Sequence, residues 1–219
     1  MDSQDRLIFT IGNASAYHSD IVSLRPSNWL TDAVIAVFFE LFQQYEKRHQ
    51  GHSSSIALIE PSISRLLLSI EDSDAIRSIL GHDHAIFTCD LIVLPVNNVS
   101  GHGFGGTHWS TLVADVPNRV FIHHDSMMSH NSRPAASLAK IVSRLLGWPS
   151  SACSIQNGTC PQQINGSDCG VAVVAVAEHV WQHSHPNPSS LSSVSLDQYR
   201  SELLDRMSEQ VERAYTDTS

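Results

Sequence analysis

The sequence predicts an α+β domain, on three observations. Apolar residues recur every third or fourth position in two stretches before residue 81. Three short runs rich in β-branched residues then follow one another between residues 91 and 123. After them comes Val171 to Val180, a segment apolar on nearly all sides and therefore a buried central helix. With 219 residues, 42% of them hydrophobic, the chain can bury one sizeable core but not two.

In chain order, Val34, Ile35, Phe38, Leu41, Phe42 and Tyr45 form the inner stripe of an amphipathic helix beginning near Thr31 or Asp32. Gln50-Gly51-His52-Ser53-Ser54-Ser55 breaks that pattern. Glu60-Pro61 to Leu80 reads as a second helical stretch, with Ile63, Leu66, Leu67 and Ile70 inward and Gly81 as its stop. Leu91–Val96, Trp109–Val113 and Arg119–His123 are the strands, bounded by Asn, Gly and Pro. Between the first two lies Asn97 to Thr107, a loop with four Gly in eleven residues, the kind of segment that carries sites. Pro134 to Gly147 resumes helical spacing, and Ser154–Gln156 adds a short strand. The expected organisation is one domain over 1–219, with a core of about 5–183, a Pro/Ser-rich linker at 184–194 and a docking helix at about 195–215. That last helix opens on Ser195-x-x-Gln198, a capping-box pattern, before Tyr199, Leu203, Met207 and Val211.

Charge and cysteine content exclude several classes. Thirteen Lys and Arg against 22 Asp and Glu give a net charge of -9, so phosphate neutralisation has little to draw on and nucleic acid is not an expected partner. Four Cys without a C-x-x-C pair fit reduced thiols and an intracellular location, in cytoplasm or nucleus. The acidic start of the chain lacks a basic leader, and no apolar run reaches the roughly 20 residues that span a bilayer, so no membrane association is expected.

The chemistry gathers at one thiol. Cys169 stands just before the buried helix, where unpaired N–H groups and the helix dipole favour a thiolate nucleophile. A thiolate needs a base, and a base needs a carboxylate to fix its tautomer. His108 stands where the Gly-rich loop enters a strand and Asp125 follows the next strand, so adjacent strands would bring the two within hydrogen-bond reach; His123 and His124 are rivals for the base. Gln163 can offer an amide N–H to an oxyanion beside the Cys169 N–H. Zinc fits poorly, because Cys160 and Cys169 are nine apart and His123 and His124 cannot easily share one ion; neither metal nor cofactor is expected.

Taken in order, Trp29-Leu-Thr-Asp32, Gly105-Gly-Thr-His108-Trp109-Ser, His124-Asp125-Ser126 and Pro161-Gln-Gln163 with Asp168-Cys169-Gly170 resemble the ubiquitin-like proteases, also called sentrin-specific proteases. The resemblance runs from about Ser27 to Val180. It implies a papain-like cysteine protease fold of the Ulp/adenain type, with a central mixed sheet, the nucleophile on a buried helix and the chain order His, Asp, Cys. By the same resemblance His108 is general base and acid, Asp125 its orienter, Cys169 the nucleophile and Gln163 the oxyanion donor. Trp29 and Trp109 would enclose the passage for a modifier's C-terminal Gly-Gly, and Asp32 would pair with a basic residue of its tail. Gly105-Gly106-Thr107 and the compact length are most like the deneddylase branch, which acts on the NEDD-type modifier, whereas Ile164-Asn165-Gly166-Ser167 is closer to the SUMO-protease branch. The expected protein is thus a monomeric deneddylase. The alternatives are a SUMO- or ubiquitin-specific protease on the same scaffold, a non-catalytic module that binds ubiquitin-like modifiers, and an acyltransferase that reuses the thioester.

Overall fold

The structure, a computed structural model, describes residues 5–49, 55–70, 72–98, 106–149 and 153–216. The Tyr45 side chain, residues 50–54 of the expected break and residues 99–105 of the Gly-rich loop lie outside the described residues.

Five strands form the central sheet, in the spatial order β3 (Ile56–Leu58), β4 (Leu91–Asn97), β5 (Trp109–Asp115), β6 (Val120–His124) and β7 (Ser154–Asn157). The middle three are an antiparallel meander, and β3 and β7 join its two sides in parallel, so the sheet is mixed as expected. β4 is buried from Leu91 to Val96 because both faces are covered. Its side chains alternate between two cores. Leu91 and Val93 enter the one built with α2 (Asp32–His49), α6 (Cys169–His183) and α7 (Leu196–Thr216), while Ile92, Leu94 and Val96 enter the other, built with α3 (Pro61–Ser69), α4 (Ser73–Leu80) and α5 (Ser132–Leu145). In α6 every residue from Cys169 to Ala177 is buried, which is why its sequence shows no polar face.

Besides β3, which the sequence reading did not include, three local features depart from it. The Glu60–Leu80 stretch is two helices, because Ile70 is extended and the Asp72 side chain accepts the Asp74 N–H at 2.9 Å, capping α4 as a separate helix. An N-terminal hairpin, β1 (Leu7–Ile11) and β2 (Ala14–Tyr17), precedes the short α1 (His18–Ser23) and had not been expected. Its turn is Gly12-Asn13. Gly12 has φ +54°, and the Glu40 carboxylate occupies the space where a Cβ would stand. The third departure is the expected linker, where a 3-10 turn at Ser189–Ser193 buries Leu191 and Ser190 Oγ meets His179 Nδ1 at 2.7 Å.

α7 docks on α6 and α2. Arg206 donates to Glu178 Oε1 at 2.9 Å and lies over the Phe38 and Phe42 rings, 5.5 and 5.3 Å from their centroids. Ser195 Oγ accepts the Gln198 N–H at 3.5 Å, half of the expected capping box. Gln198 spends its own amide on Glu202 instead, at 2.9 Å. Among the described residues no helix is long and apolar enough to cross a membrane.

Candidate active site

Antiparallel pairing of β5 and β6, with Thr111 opposite His124, sets the start of β5 beside the end of β6. His108 precedes β5 and Asp125 follows β6, so the two side chains meet: His108 Nε2 donates to Asp125 Oδ1 at 2.7 Å. The turn after β6 folds back to complete the carboxylate's shell, with the Met127 N–H on Oδ1 at 2.9 Å and the Asn131 N–H on Oδ2 at 2.8 Å. Burial pushes Asp125 up, but these bonds outweigh it and hold the carboxyl below its usual range, ionised at neutral pH. For His108 burial pulls downward, yet its bond to Asp125 and the neighbouring Cys169 thiol raise it to about 9. Since Nε2 is taken by Asp125, Nδ1 is the nitrogen left for the thiol. It is buried and makes no hydrogen bond of its own, so it stands unspent beside the thiol.

Cys169 is the first residue of α6, after Asp168 as N-cap, so unpaired N–H groups of the first helical turn surround its backbone. Gly170 allows this close seating: a Cβ there would lie 2.8 Å from Leu30 Cβ. For Gly170→Ala we expect overpacking of about 1–3 kcal/mol, partly offset by about 1 kcal/mol of helix preference, for a net loss near 1 kcal/mol. A thermal melt reads this as a fall of about 2–4 °C.

Gln163 is held at three points. Its Oε1 accepts from Ser126 Oγ at 2.7 Å, its N–H donates to the Ser126 carbonyl at 3.0 Å, and Nε2 donates to the Asn165 carbonyl at 2.6 Å. With Oε1 fixed on Ser126 the amide cannot flip, and Nε2 keeps one hydrogen to offer. Trp29, Asp32, Trp109 and Cys169 line one cavity of about 750 Å³. Trp109 is buried, whereas Trp29 is 51% exposed and anchored by its Nε1, which donates to the Gly166 carbonyl at 2.8 Å. Burial pushes the Asp32 carboxyl up while the positive charge of Arg65, across the cavity wall, draws it down.

The sequence matches the Ulp1 protease family, C-terminal catalytic domain, over residues 28–215. The chain belongs to the Ulp1 protease family. It is a cysteine protease of the kind that acts on ubiquitin-like modifiers. NEDD8-specific protease 1 of Arabidopsis thaliana is 31% identical over 182 residues, covering 82% of this chain and 77% of that one. A probable sentrin-specific protease 8 of Dictyostelium discoideum is 26% identical over 216 residues, covering 91% and 89%. In fold the chain is similar to a de-sumoylating protease, with a TM-score of 0.70, 14% identity and coverage of 100% of this chain and 94% of that one.

Within this Ulp1-family site the rival histidines take their hydrogen bonds elsewhere, although His123 Nε2 also lies 4.0 Å from Asp125 Oδ2. His123 Nε2 pairs with Ser110 Oγ at 2.9 Å, and the two His124 ring nitrogens meet the Thr159 and Pro186 carbonyls at 2.7 and 2.9 Å. Cys160 is no rival to Cys169, because burial, followed by the nearby Asp125 charge, pushes its thiol up to about 12. Among the described residues no cluster of His, Cys, Asp and Glu has the form of a metal site.

Sequence reasoning missed three residues that brace this site. Ser126 stood in a quoted motif but without a role, and its hydroxyl fixes the Gln163 amide. The fully buried Asn131 donates through Nδ2 to the His108 and Val96 carbonyls, both at 3.2 Å, while its N–H holds Asp125. Arg200 lies between two apolar positions of α7, where nothing in the spacing signals a buried cation.

Proposed function

We propose that this Ulp1-family protease cleaves after the C-terminal Gly-Gly of the NEDD-type modifier, releasing it from lysines and from its precursor. The observation that carries the catalytic part is the His108–Asp125 pair at 2.7 Å, set against a cysteine that opens a buried helix at the floor of the Trp29–Trp109 cavity. The Cys169 thiolate, paired with protonated His108, attacks the carbonyl carbon of the terminal Gly. The oxyanion is held by the Cys169 N–H and by Gln163 Nε2. As the tetrahedral species collapses, the bond to the lysine nitrogen breaks and His108 Nδ1–H protonates the departing amine, leaving a thioester. Water, losing its proton to His108, then attacks the thioester and releases the modifier carboxylate and the free thiolate. Asp125 holds the imidazole in one orientation throughout.

Selectivity for Gly-Gly follows from a passage between two indoles that a tail without Cβ atoms can thread. Preference for the NEDD-type modifier is supported by the Arabidopsis relative's name and by the Asp32 carboxylate on the cavity lining, to which a basic tail residue can pair. Ubiquitin, SUMO and NEDD-type C-terminal fluorogenic substrates test this directly: fastest turnover of the NEDD-type substrate is expected, and fastest turnover of SUMO reassigns the modifier while keeping the mechanism. A Gly-Gly-terminated electrophilic modifier probe should alkylate Cys169, and a chain that binds the modifier without forming the adduct is a binding module. Gln163→Ala should lower kcat by about 10²–10³-fold with little change in KM, because the amide acts on charge that exists only in the transition state.

A further inference from the structure

Arg200 is 3% exposed, yet it carries a full charge into the core of the molecule. Its Nε donates to Asp168 Oδ1 at 2.8 Å and its Nη2 to the Ser167 carbonyl at 2.9 Å. Those acceptors are the two residues immediately before the nucleophile. The rest of the guanidinium turns to another loop. Nη1 donates to the carbonyls of Ser23, Leu24 and Arg25 at 3.3, 3.3 and 3.2 Å, and Nη2 to that of Asn28 at 3.0 Å. Asn28 precedes Trp29, one wall of the cavity that Cys169 floors. One planar, rigid group on α7 therefore joins the nucleophile's loop on one side to the Trp29 loop on the other.

We propose that Arg200 is a positioning residue that fixes the spacing between Trp29 and Cys169, and through it the selectivity of the passage for Gly-Gly; this rests on the diglycine reading above. A helix packed only for stability has no need to bond both loops through one fork. A lysine at this position supplies a point charge with three donors and cannot bridge the two sets of acceptors, so the loops drift apart while the helix remains docked.

The experiment compares wild type and Arg200→Lys on two modifier substrates, one ending in Gly-Gly and one with Ala in place of the penultimate Gly. For Arg200→Lys, kcat/KM on Gly-Gly should fall about 10²-fold, the scale of a small misplacement of reacting groups. The ratio of Gly-Gly to Ala-Gly turnover should fall about tenfold, since exclusion of a single methyl depends on the passage width. A variant that melts at a lower temperature but keeps the wild-type ratio overturns the proposal, as loss of stability alone slows both substrates alike. If Arg200→Lys does not fold, the double variant Arg200→Met with Asp168→Asn removes the buried pair as a unit, which proteins tolerate far better than removal of one partner. It must show the same loss of selectivity, and an unchanged ratio again overturns the role. A wild-type protein that cleaves neither substrate overturns the diglycine reading and the passage with it. A wild-type protein that discriminates while both variants discriminate equally well overturns only Arg200.

Discussion

Replacement of Cys169 by Ala is expected to abolish turnover of every modifier substrate, a loss of about 10⁶-fold or more, while the variant still binds the modifier. The thiol is the only protein group in the proposed mechanism that forms a bond to carbon, and the remaining groups act on an intermediate that never forms without it. Cys169 faces the cavity floor and contributes little volume, so the fold should survive: the helix start depends on Asp168, Gly170 and the Arg200 contacts, none of which the substitution touches. Binding of the uncleaved conjugate to Cys169→Ala, followed by calorimetry, separates the two effects. Turnover above background in this variant would move the nucleophile elsewhere.

The second large effect is expected at Asp125. Asp125→Asn keeps the shape but removes the charge, and its amide can present a donor to His108 Nε2, favouring the wrong tautomer; kcat should fall by about 10³–10⁴-fold. The pH profile carries an independent sign. The proposed active form needs His108 protonated, so on the alkaline side activity is lost as pH rises through the His108 value, about 9 in the intact site. Burial pulls this histidine down, and with Asp125 neutral the carboxylate's opposing attraction is gone and only that of Cys169 remains, so the alkaline limb of kcat/KM should move to lower pH in the variant. An alkaline limb that stays in place would show that another group holds the proton.

What could be read in the sequence was what repeats or alternates along it. β4 to β6 stood out because both faces of the sheet are covered, so their apolar runs are nearly unbroken, and α6 for the same reason. Strand order then made the meeting of His108 and Asp125 predictable, since a meander places the entry of one strand beside the exit of the next. The N-terminal hairpin went unread although Gly12-Asn13 marks its turn, because β1 shows no clear alternation and β2 is four residues long with only two small alanines facing inward. β3, three residues long, is too short for any period. Asn131 and Arg200 were illegible for a different reason. Apart from the Asp168 carboxylate on Arg200, the side-chain partners of both are backbone carbonyls, which every residue possesses, so residue type on the accepting side scarcely records the contact.

The Arg200 bonds also set an order of events during synthesis. The carbonyls of Ser23 and Asn28 leave the ribosome 177 and 172 residues before the side chain that gathers them, and Cys169 emerges while α7 is still to be made. Contacts of such long range close late in folding, because the loop-closure entropy must be met before they form. A nascent chain holding the His108, Asp125 and Cys169 residues consequently lacks the group that ties the nucleophile's loop to the tryptophan wall. On the role proposed for Arg200, the spacing between the nucleophile's loop and the tryptophan wall is therefore set only once α7 has been made.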